Sequence, residues 1–323
     1  MMNRTTSLPT KTDRRELRAS RVVAAWVGHT DSREANTLDT WIRDRGNGAG
    51  HVEHDLLDFG DCLGSMWEPP SLGRRVGQSA HFDAPDVLVD WLSLGAILRP
   101  WETPRFGRFG RVLGYSDVAH FDPESWTPGY DNPAMLRMTE RDAAFMSRRI
   151  ARLQPARLRL IIAEARLDDP ALARMILVTL EGRRRRILER DLVPLSPLGW
   201  PTVAVETAAS SRHGTLVVCV EDLMVSSGAH LEPRLRHEIS AHFDRRWSRV
   251  DRRPAAEPHR QCALVPFTDR VPEARSPRML IEWRTRPPPG ATAATSSIRL
   301  HLWRRAERDV NVIGLERHAE PRD

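Results

Sequence analysis

The chain has 323 residues, with 49 Lys+Arg against 43 Asp+Glu, a net charge of +6 and 40% hydrophobic residues. That length can bury a substantial core, in one large or two medium domains. No apolar run is long enough to cross a bilayer, and residues 1–12 lack the apolar core of a secretory signal. As written, the sequence therefore reads as cytoplasmic. An extracytoplasmic address stays open if the true start lies upstream. Almost all of the basic excess is arginine, which argues for solubility more than for a specific nucleic-acid site. Cys62, Cys219 and Cys262 are odd in number and far apart, with no C-x-x-C pair. That pattern predicts neither a disulfide framework nor a zinc knuckle.

After a polar leader, residues 1–12, Thr12 is placed to cap a helix from about Asp13 to Val27. Leu17, Ser20, Ala24 and Val27 fall on one face of it at helical spacing. The helix feeds into His29-Thr30-Asp31, with Asn36 five residues after the aspartate. Two strands are expected over Thr37–Ile42 and Val52–Leu57. Gly46, Asn47, Gly48 and Gly50 form the turn between them. The second strand runs into Asp58-Phe59-Gly60.

This order suits phosphoryl transfer. A loop carboxylate, Asp31, orients the acceptor hydroxyl or takes its proton. An amide oxygen from Asn36 and a carboxylate from Asp58 complete a metal shell of oxygen donors, which suits Mg²⁺. His29, Phe59 and Gly60 are structural support, with His29 buried and bonding backbone near Phe59. Each half of the pattern arises often by chance. The two halves together, in order and joined by a hairpin, are more specific.

On these residues the chain resembles the protein-kinase-like superfamily. The hairpin is longer than in typical protein kinases, and Thr30 stands where they carry arginine. The resemblance is nearer to a bacterial branch, through Arg14–Arg18, His29–Thr40, Leu56–Gly60, Leu63–Ser65, Trp101 and Phe121–Trp126. It implies an α+β protein in which 13–194 form a mostly helical kinase-like large lobe with a catalytic-loop hairpin. It also implies Mg²⁺ and ATP as cofactors. The small lobe that carries the phosphate lysine is missing from the sequence. Lys11, the sole lysine, lies in the leader. The resemblance thus implies an incomplete phosphotransferase that needs a further N-terminal segment or a partner chain. A non-catalytic, pseudokinase-like binding protein is the alternative. A third reading makes the three residues coincidental.

Asp61–Gly77 reads as an irregular loop in the place of an activation segment. Asp86–Leu98 is an apolar helix candidate, with Val87, Leu88, Trp91, Leu94 and Leu98 at core spacing. Arg99–Pro133 is a Pro- and aromatic-rich connector. Its run 105–111, RFGRFGR, invites base stacking, but aromatic side chains pinning an extended loop to the domain are the preferred account, since one short basic-aromatic run without a recognised module is weak evidence. Three helices follow. One is capped by Thr139, with Ala143, Met146 and Ile150 inward. One is opened by Pro155, with Leu158, Ile161, Ile162 and Ala165 inward. One is started by Asp169-Pro170, with Leu172, Met175, Ile176, Thr179 and Leu180 inward. Arg183–Arg186 would end the last of these and complement its dipole.

Leu195–Trp200 reads as a linker, and 195–323 as a small β-rich accessory domain of the sandwich type. Strands are expected at Thr202–Thr207, Thr215–Val220, Arg278–Arg284, Ile298–Trp303 and Val310–Leu315, with a helix at Pro233–Trp247. HEISAH, 237–242, imitates a zinc-protease motif. Its histidines are five apart rather than four, which on a helix turns the second off the ligand face. These are expected to be surface polar residues. A nucleophile elbow and a Walker loop are absent.

Overall fold

The computed structural model describes residues 14–44, 49–64, 84–97, 118–119, 121–207, 213–230, 235–243, 246–253, 257–268, 278–286, 295–306 and 309–319. They form two compact units: 1–150 with 156–187, and 151–155 with 188–323. Helix and strand each account for 37%, in six helices and three antiparallel sheets among the described residues. The expected mostly helical α+β chain is therefore incorrect. This is a mixed fold with a strand-rich part. The error came from underestimating the strands, as unit 2 shows.

In unit 1, α1 (Arg15–Val27) starts without a side-chain cap on Arg14. Its buried residues are Leu17, Ala19, Ser20, Val22, Ala24, Ala25 and Trp26. Small side chains let it sink on more than one face, and the Trp26 indole N–H donates to Leu180 O at 2.8 Å. β1 (Thr37–Arg43) and β2 (Gly50–Leu56) pair antiparallel as a two-stranded ribbon, with Thr37 opposite Leu56 and Trp41 opposite Val52. At Gly50 a Cβ would meet Ile42 O at 2.5 Å, so the close approach of the strands there needs glycine.

α2 (Ala84–Leu92) forms where an apolar helix was expected, but it is not a core element. Leu88, Trp91 and Leu92 are more than half exposed, and Leu94 beyond the helix is exposed as well. α3 (Glu140–Ala151) starts with a reciprocal cap: Thr139 Oγ1 accepts from Asp142 N–H, and the Asp142 carboxylate accepts from Thr139 N–H. Ala143 and Ile150 are buried. α4 (Pro155–Glu164) buries Leu158 and Ile162, whereas Ile161 is exposed, contrary to expectation. α5 runs from Pro170 to Leu192, with Ala171 N–H bonded to Asp169 Oδ1 at 2.8 Å.

Because α5 continues to Leu192, Arg183–Arg186 lie within it and not at its end. Arg183 and Arg184 are buried. The Arg183 guanidinium lies 4.7 Å from the Phe121 ring centroid, and Arg186 donates to Phe121 O and Ala119 O. Burial lowers the Arg184 pKa, and Glu181 opposes that shift. These arginines pin an extended segment to the helix, where the sequence suggested only dipole compensation. In the same unit Arg18 forms a two-pronged bond to buried Asp142, Nε–Oδ2 2.7 Å and Nη2–Oδ1 2.9 Å.

Unit 2 is two sheets packed face to face. One has the order β11-β10-β9-β5-β6 and the other β3-β4-β8-β7. The strands are β3 (Leu198–Thr207), β4 (His213–Asp222), β5 (Arg236–Phe243), β6 (Arg246–Arg249), β7 (Asp251–Arg253), β8 (Arg260–Thr268), β9 (Arg278–Arg286), β10 (Ser296–Ala306) and β11 (Asp309–Ala319). Leu216, Val218 and Val220 of β4 share one core with Ile281 and Trp283 of β9 and Ile298, Leu300 and Leu302 of β10. Each set follows the alternation that puts every second residue inward. A short helix, α6 (Leu223–Ser226), follows β4.

Two expectations fail here. The helix predicted over Pro233–Trp247 is strand β5 with part of β6. On a strand His237 and His242 face opposite ways, and His237 is buried rather than a surface residue. Further, Cys219 and Cys262 sit directly opposite each other on β4 and β8, Cα–Cα 4.0 Å, and form a disulfide. Register, which spacing along the chain cannot reveal, brings them together.

Two substitutions test this packing. Asp142→Asn strips a buried partner from Arg18 and should cost about 2–4 kcal/mol of unfolding free energy in urea titration. Burial alone would raise the Asp142 pKa, but bonds from Arg18 and Thr139 lower it below 3.8. The stabilisation is therefore present above 3.8 and fades as pH falls through the lowered value. Trp283→Ala should cost about 3–5 kcal/mol, read in the same titration.

Candidate functional site

The site is built at the end of α1. Gly28 takes φ +69°, closing the helix with its N–H on Ala24 O. A Cβ here would also come within 3.2 Å of Arg183 Nη1. The chain thus leaves the helix sharply into the loop His29–Arg33. A second segment holds that loop by its backbone. Gly129 N–H donates to Thr30 O and Asn132 Nδ2 to Ser32 O, both at 2.8 Å. Asn132 is itself fixed, because its Oδ1 accepts from Ala134 N–H at 3.0 Å.

The loop then turns into the hairpin. Asn36 N–H bonds Arg33 O at 3.0 Å, and Asn36 Nδ2 bonds Asp31 O at 2.8 Å. Leu57 N–H bonds Asn36 O at 2.9 Å, one residue before Asp58. The ribbon thus brings the end of β2 back beside the start of β1. Asp58 is exposed at φ +57°, and among the described residues its carboxylate has no partner. Left-handed backbone is tolerated by aspartate.

A short 3₁₀ stretch, Phe59–Gly64, follows and breaks at Cys62 and Leu63. Leu63 has φ +62°, costly for a bulky side chain. The compensation is packing: Leu63 sits against Ile162, Leu172 and Ile176. Anchoring Leu63 aims Asp61 back at the loop. Asp61 Oδ1 accepts from the His29 Nδ1–H at 2.6 Å. Asp61 Oδ2 accepts from the Thr30 hydroxyl and from Asp31 N–H, the latter at 2.6 Å. Burial works to raise the Asp61 pKa, but the bonds from His29, Thr30 and Asp31 outweigh it, and the carboxyl titrates below its usual 3.8.

His29 is 1% exposed, and its ring packs against Phe59 with centroids 5.0 Å apart. It bonds the Asp61 carboxylate, where a backbone bond near Phe59 was expected. Its Nε2 is buried with no hydrogen-bond partner, a cost of about 1–3 kcal/mol. Asp31 is held at its N–H by Asp61, at its carbonyl by Asn36, and at its carboxylate by Arg33, Nε–Oδ1 3.0 Å. Arg33 in turn lies 5.0 Å from the centroid of the Tyr130 ring. Gly60 is not sterically required, since an added Cβ would make only an ordinary contact with Asp58 Oδ1 at 3.4 Å.

Asp31, Asn36 and the backbone before Asp58 are thus linked by two hydrogen bonds, and His29 and Phe59 touch each other. The residues that sequence reasoning missed are Asp61 and Cys62. The available signal was position, because Asp61 directly follows Asp58-Phe59-Gly60. Cys62 is half-buried, and burial beside the Asp61 charge pushes its thiol up to about 12. A thiol that keeps its proton is not a nucleophile at neutral pH. The RFGRFGR run, the segment 65–83 and the leader with Lys11 lie outside the described residues.

Unit 2 holds one constellation that imitates a hydrolase. His237 Nδ1 lies 3.0 Å from Thr285 Oγ1, and His237 Nε2 lies 3.3 Å from Asp222 Oδ2. All three residues are 2% exposed or less, so no substrate reaches them. Asp222 Oδ1 also accepts from Met224 N–H, so the group staples β5 and β9 to α6.

Removing the Asp61 carboxylate should release the loop. Asp61→Ala is expected to lower stability by roughly 3 kcal/mol, since it strands a buried imidazole and frees Thr30 and Asp31. With a lowered pKa, the Asp61 contribution is complete above 3.8 and is lost as pH falls through the lowered value. Thermal unfolding followed across acid pH reads both effects, and the acid-dependent part should shrink in the variant. Among the described residues no helix is long and apolar enough to cross a membrane. Comparisons with family models, with curated proteins and with solved structures find no match.

Proposed function

We propose that the loop and ribbon form a phosphotransferase-type site that takes a Mg²⁺-bound nucleoside triphosphate such as ATP. The observation that carries this reading is the Leu57 N–H to Asn36 O bond together with the Asn36 side-chain bond to Asp31. These bonds support convergence of one base and two metal donors that are distant along the chain. Asn36 spends its Nδ2 on Asp31, and among the described residues its Oδ1 accepts nothing. Asp58 is exposed and unpartnered among the described residues. An amide oxygen and a carboxylate are hard donors, and they fit Mg²⁺. Bound there, the metal would neutralise phosphate charge.

The chain's own residues do the remaining work. Asp61 fixes the Asp31 backbone, so the position of the base is set before substrate arrives. Arg33 occupies the Asp31 carboxylate, and an acceptor hydroxyl must displace or share it. Both side chains are partly exposed, so that pair holds by only about 0–1 kcal/mol. Asp31 would then accept the hydroxyl proton as the hydroxyl oxygen bonds to the γ-phosphorus and the bond from that phosphorus to its bridging oxygen breaks, the nucleoside diphosphate leaving with the electron pair. The reading concerns the loop and ribbon alone. It resembles protein-kinase-like catalytic loops in residue order, and further chain covering the nucleotide belongs to the same proposal.

The second reading, a non-catalytic binding protein, draws on the exposed apolar residues Leu88, Trp91 and Leu92 of α2. Titrating ATP with and without Mg²⁺ against the full chain separates the two. The expected result is a Mg²⁺-dependent rise in unfolding temperature that Asp58→Ala removes while keeping its circular dichroism. Asp31→Asn should retain that rise and lower any phosphotransfer at least 100-fold, the scale of losing a positioned base. No response to Mg²⁺-ATP in the wild-type chain would favour the binding protein.

A further inference from the structure

We propose that β11 (Asp309–Ala319) is a homodimer seam, at which two copies of the chain join antiparallel about a twofold axis between Ile313 and Gly314. β11 ends the five-stranded sheet, and among the described residues its backbone pairs with β10 alone. The outward backbone groups of such a strand are a template for a further strand. The other sheet ends in unit 2 are guarded. β6 has four residues and β7 three, and β3 carries Pro201, which lacks an N–H, beside a register shift between Gly199 and Thr202. β11 is 11 residues long and holds neither lysine nor proline. On it Ile313 is 58% exposed and Leu315 39%.

The pleat selects the register. Ile298, Leu300 and Leu302 of β10 face the core, and they lie opposite Arg317, Leu315 and Val312, which therefore share the inner face. Asn311, Glu316 and His318 oppose Trp303, Arg299 and Ser297 and take the outer face, as does Asp309 by alternation. Ile313 is the extra residue of a bulge, since His301 meets Gly314 while Leu302 meets Val312. The bulge reverses the alternation along the strand. Two copies overlap along their whole length, inner with inner and outer with outer, when the axis falls between Ile313 and Gly314.

That register is self-complementary. Asp309 meets His318 of the second copy, Asn311 meets Glu316 and Val312 meets Leu315, each pair twice by symmetry. No two like charges face each other. Arg317, the charge on the inner face, donates to Ser196 O and Leu198 O, so it does not bar a neighbour. A bulge ordinarily discourages edge pairing by bending the strand. Here it lies on the axis and meets its own copy, so both edges bend alike. An extended peptide would find the same open backbone without this self-matching, and a second copy is therefore the occupant the strand fits.

Sedimentation equilibrium of the full-length protein, disulfide intact, tests the seam. Wild type is expected to dimerise at micromolar concentration. Ile313→Lys sets two ammonium groups beside the axis and should weaken association at least about 10-fold with circular dichroism unchanged. Leu160→Lys, at a comparably exposed apolar position of α4, should leave the dimer intact. For the register, Asn311→Cys combined with Glu316→Cys in a Cys62→Ser background should form a disulfide-linked dimer on mild oxidation. Within one strand those positions stand about 16 Å apart, too far for a bridge, so the link must join two chains. Either cysteine alone should give none. A dimer that survives Ile313→Lys, or no cross-link in the double variant, overturns the proposal. A wild-type monomer at high micromolar concentration overturns it as well and leaves the edge to an extended peptide.

Discussion

One carboxylate holds the site together. Asp61 accepts from a ring N–H, a hydroxyl and a backbone N–H on three successive residues, His29, Thr30 and Asp31. Those residues would otherwise form an exit loop free to sample many conformations. A single ionised acceptor satisfying three donors in a partly buried place is strong because bonds to charge are roughly twice as strong as neutral ones. The same arrangement keeps the carboxyl ionised despite its burial.

The surroundings serve that bond. Gly28 turns the chain out of α1, and Leu63 accepts an unfavourable backbone angle because its partly buried side chain packs against α4 and α5. Segment 126–135 fastens the other side of the loop through Gly129 and Asn132. Its own place is fixed by Trp126, fully buried, whose carbonyl accepts from Arg21 of α1. Local strain at Asp58 and Leu63 therefore sits between well-packed anchors. That is where strained backbone persists.

The sequence made local features legible and left distant ones hidden. The ribbon was readable because alternating strands flank a glycine-rich turn. The starts of α3 and α5 were readable because Thr139 and Asp169 cap them with their own side chains. The balance of helix and strand was not readable. β5 carries HEISAH, whose polar and charged residues mask a two-residue period, and β6 and β7 are only four and three residues long. Apolar spacing in α2 predicted burial, yet spacing reports only that a face exists and not that anything covers it. Arg183 to Arg186 looked like a helix end because charge is usually solvated, whereas Phe121 and backbone carbonyls receive these arginines. Within the site, attention to Asp58 hid Asp61, since only the turn at Cys62 and Leu63 reveals which carboxylate faces the loop.

The bond between Cys219 and Cys262 ties the character of the smaller sheet in unit 2 to its chemical surroundings. It closes a loop spanning 43 residues. Chain-entropy arguments give such a closure roughly 4 kcal/mol of restraint on the unfolded chain. Where glutathione keeps thiols reduced, β4 and β8 must stay together through ladder bonds and side-chain packing alone. Where the medium is oxidising, the same two strands are fastened covalently near one end of their ladder. The durability of this half of the protein is thus a property shared between its sequence and the compartment that holds it.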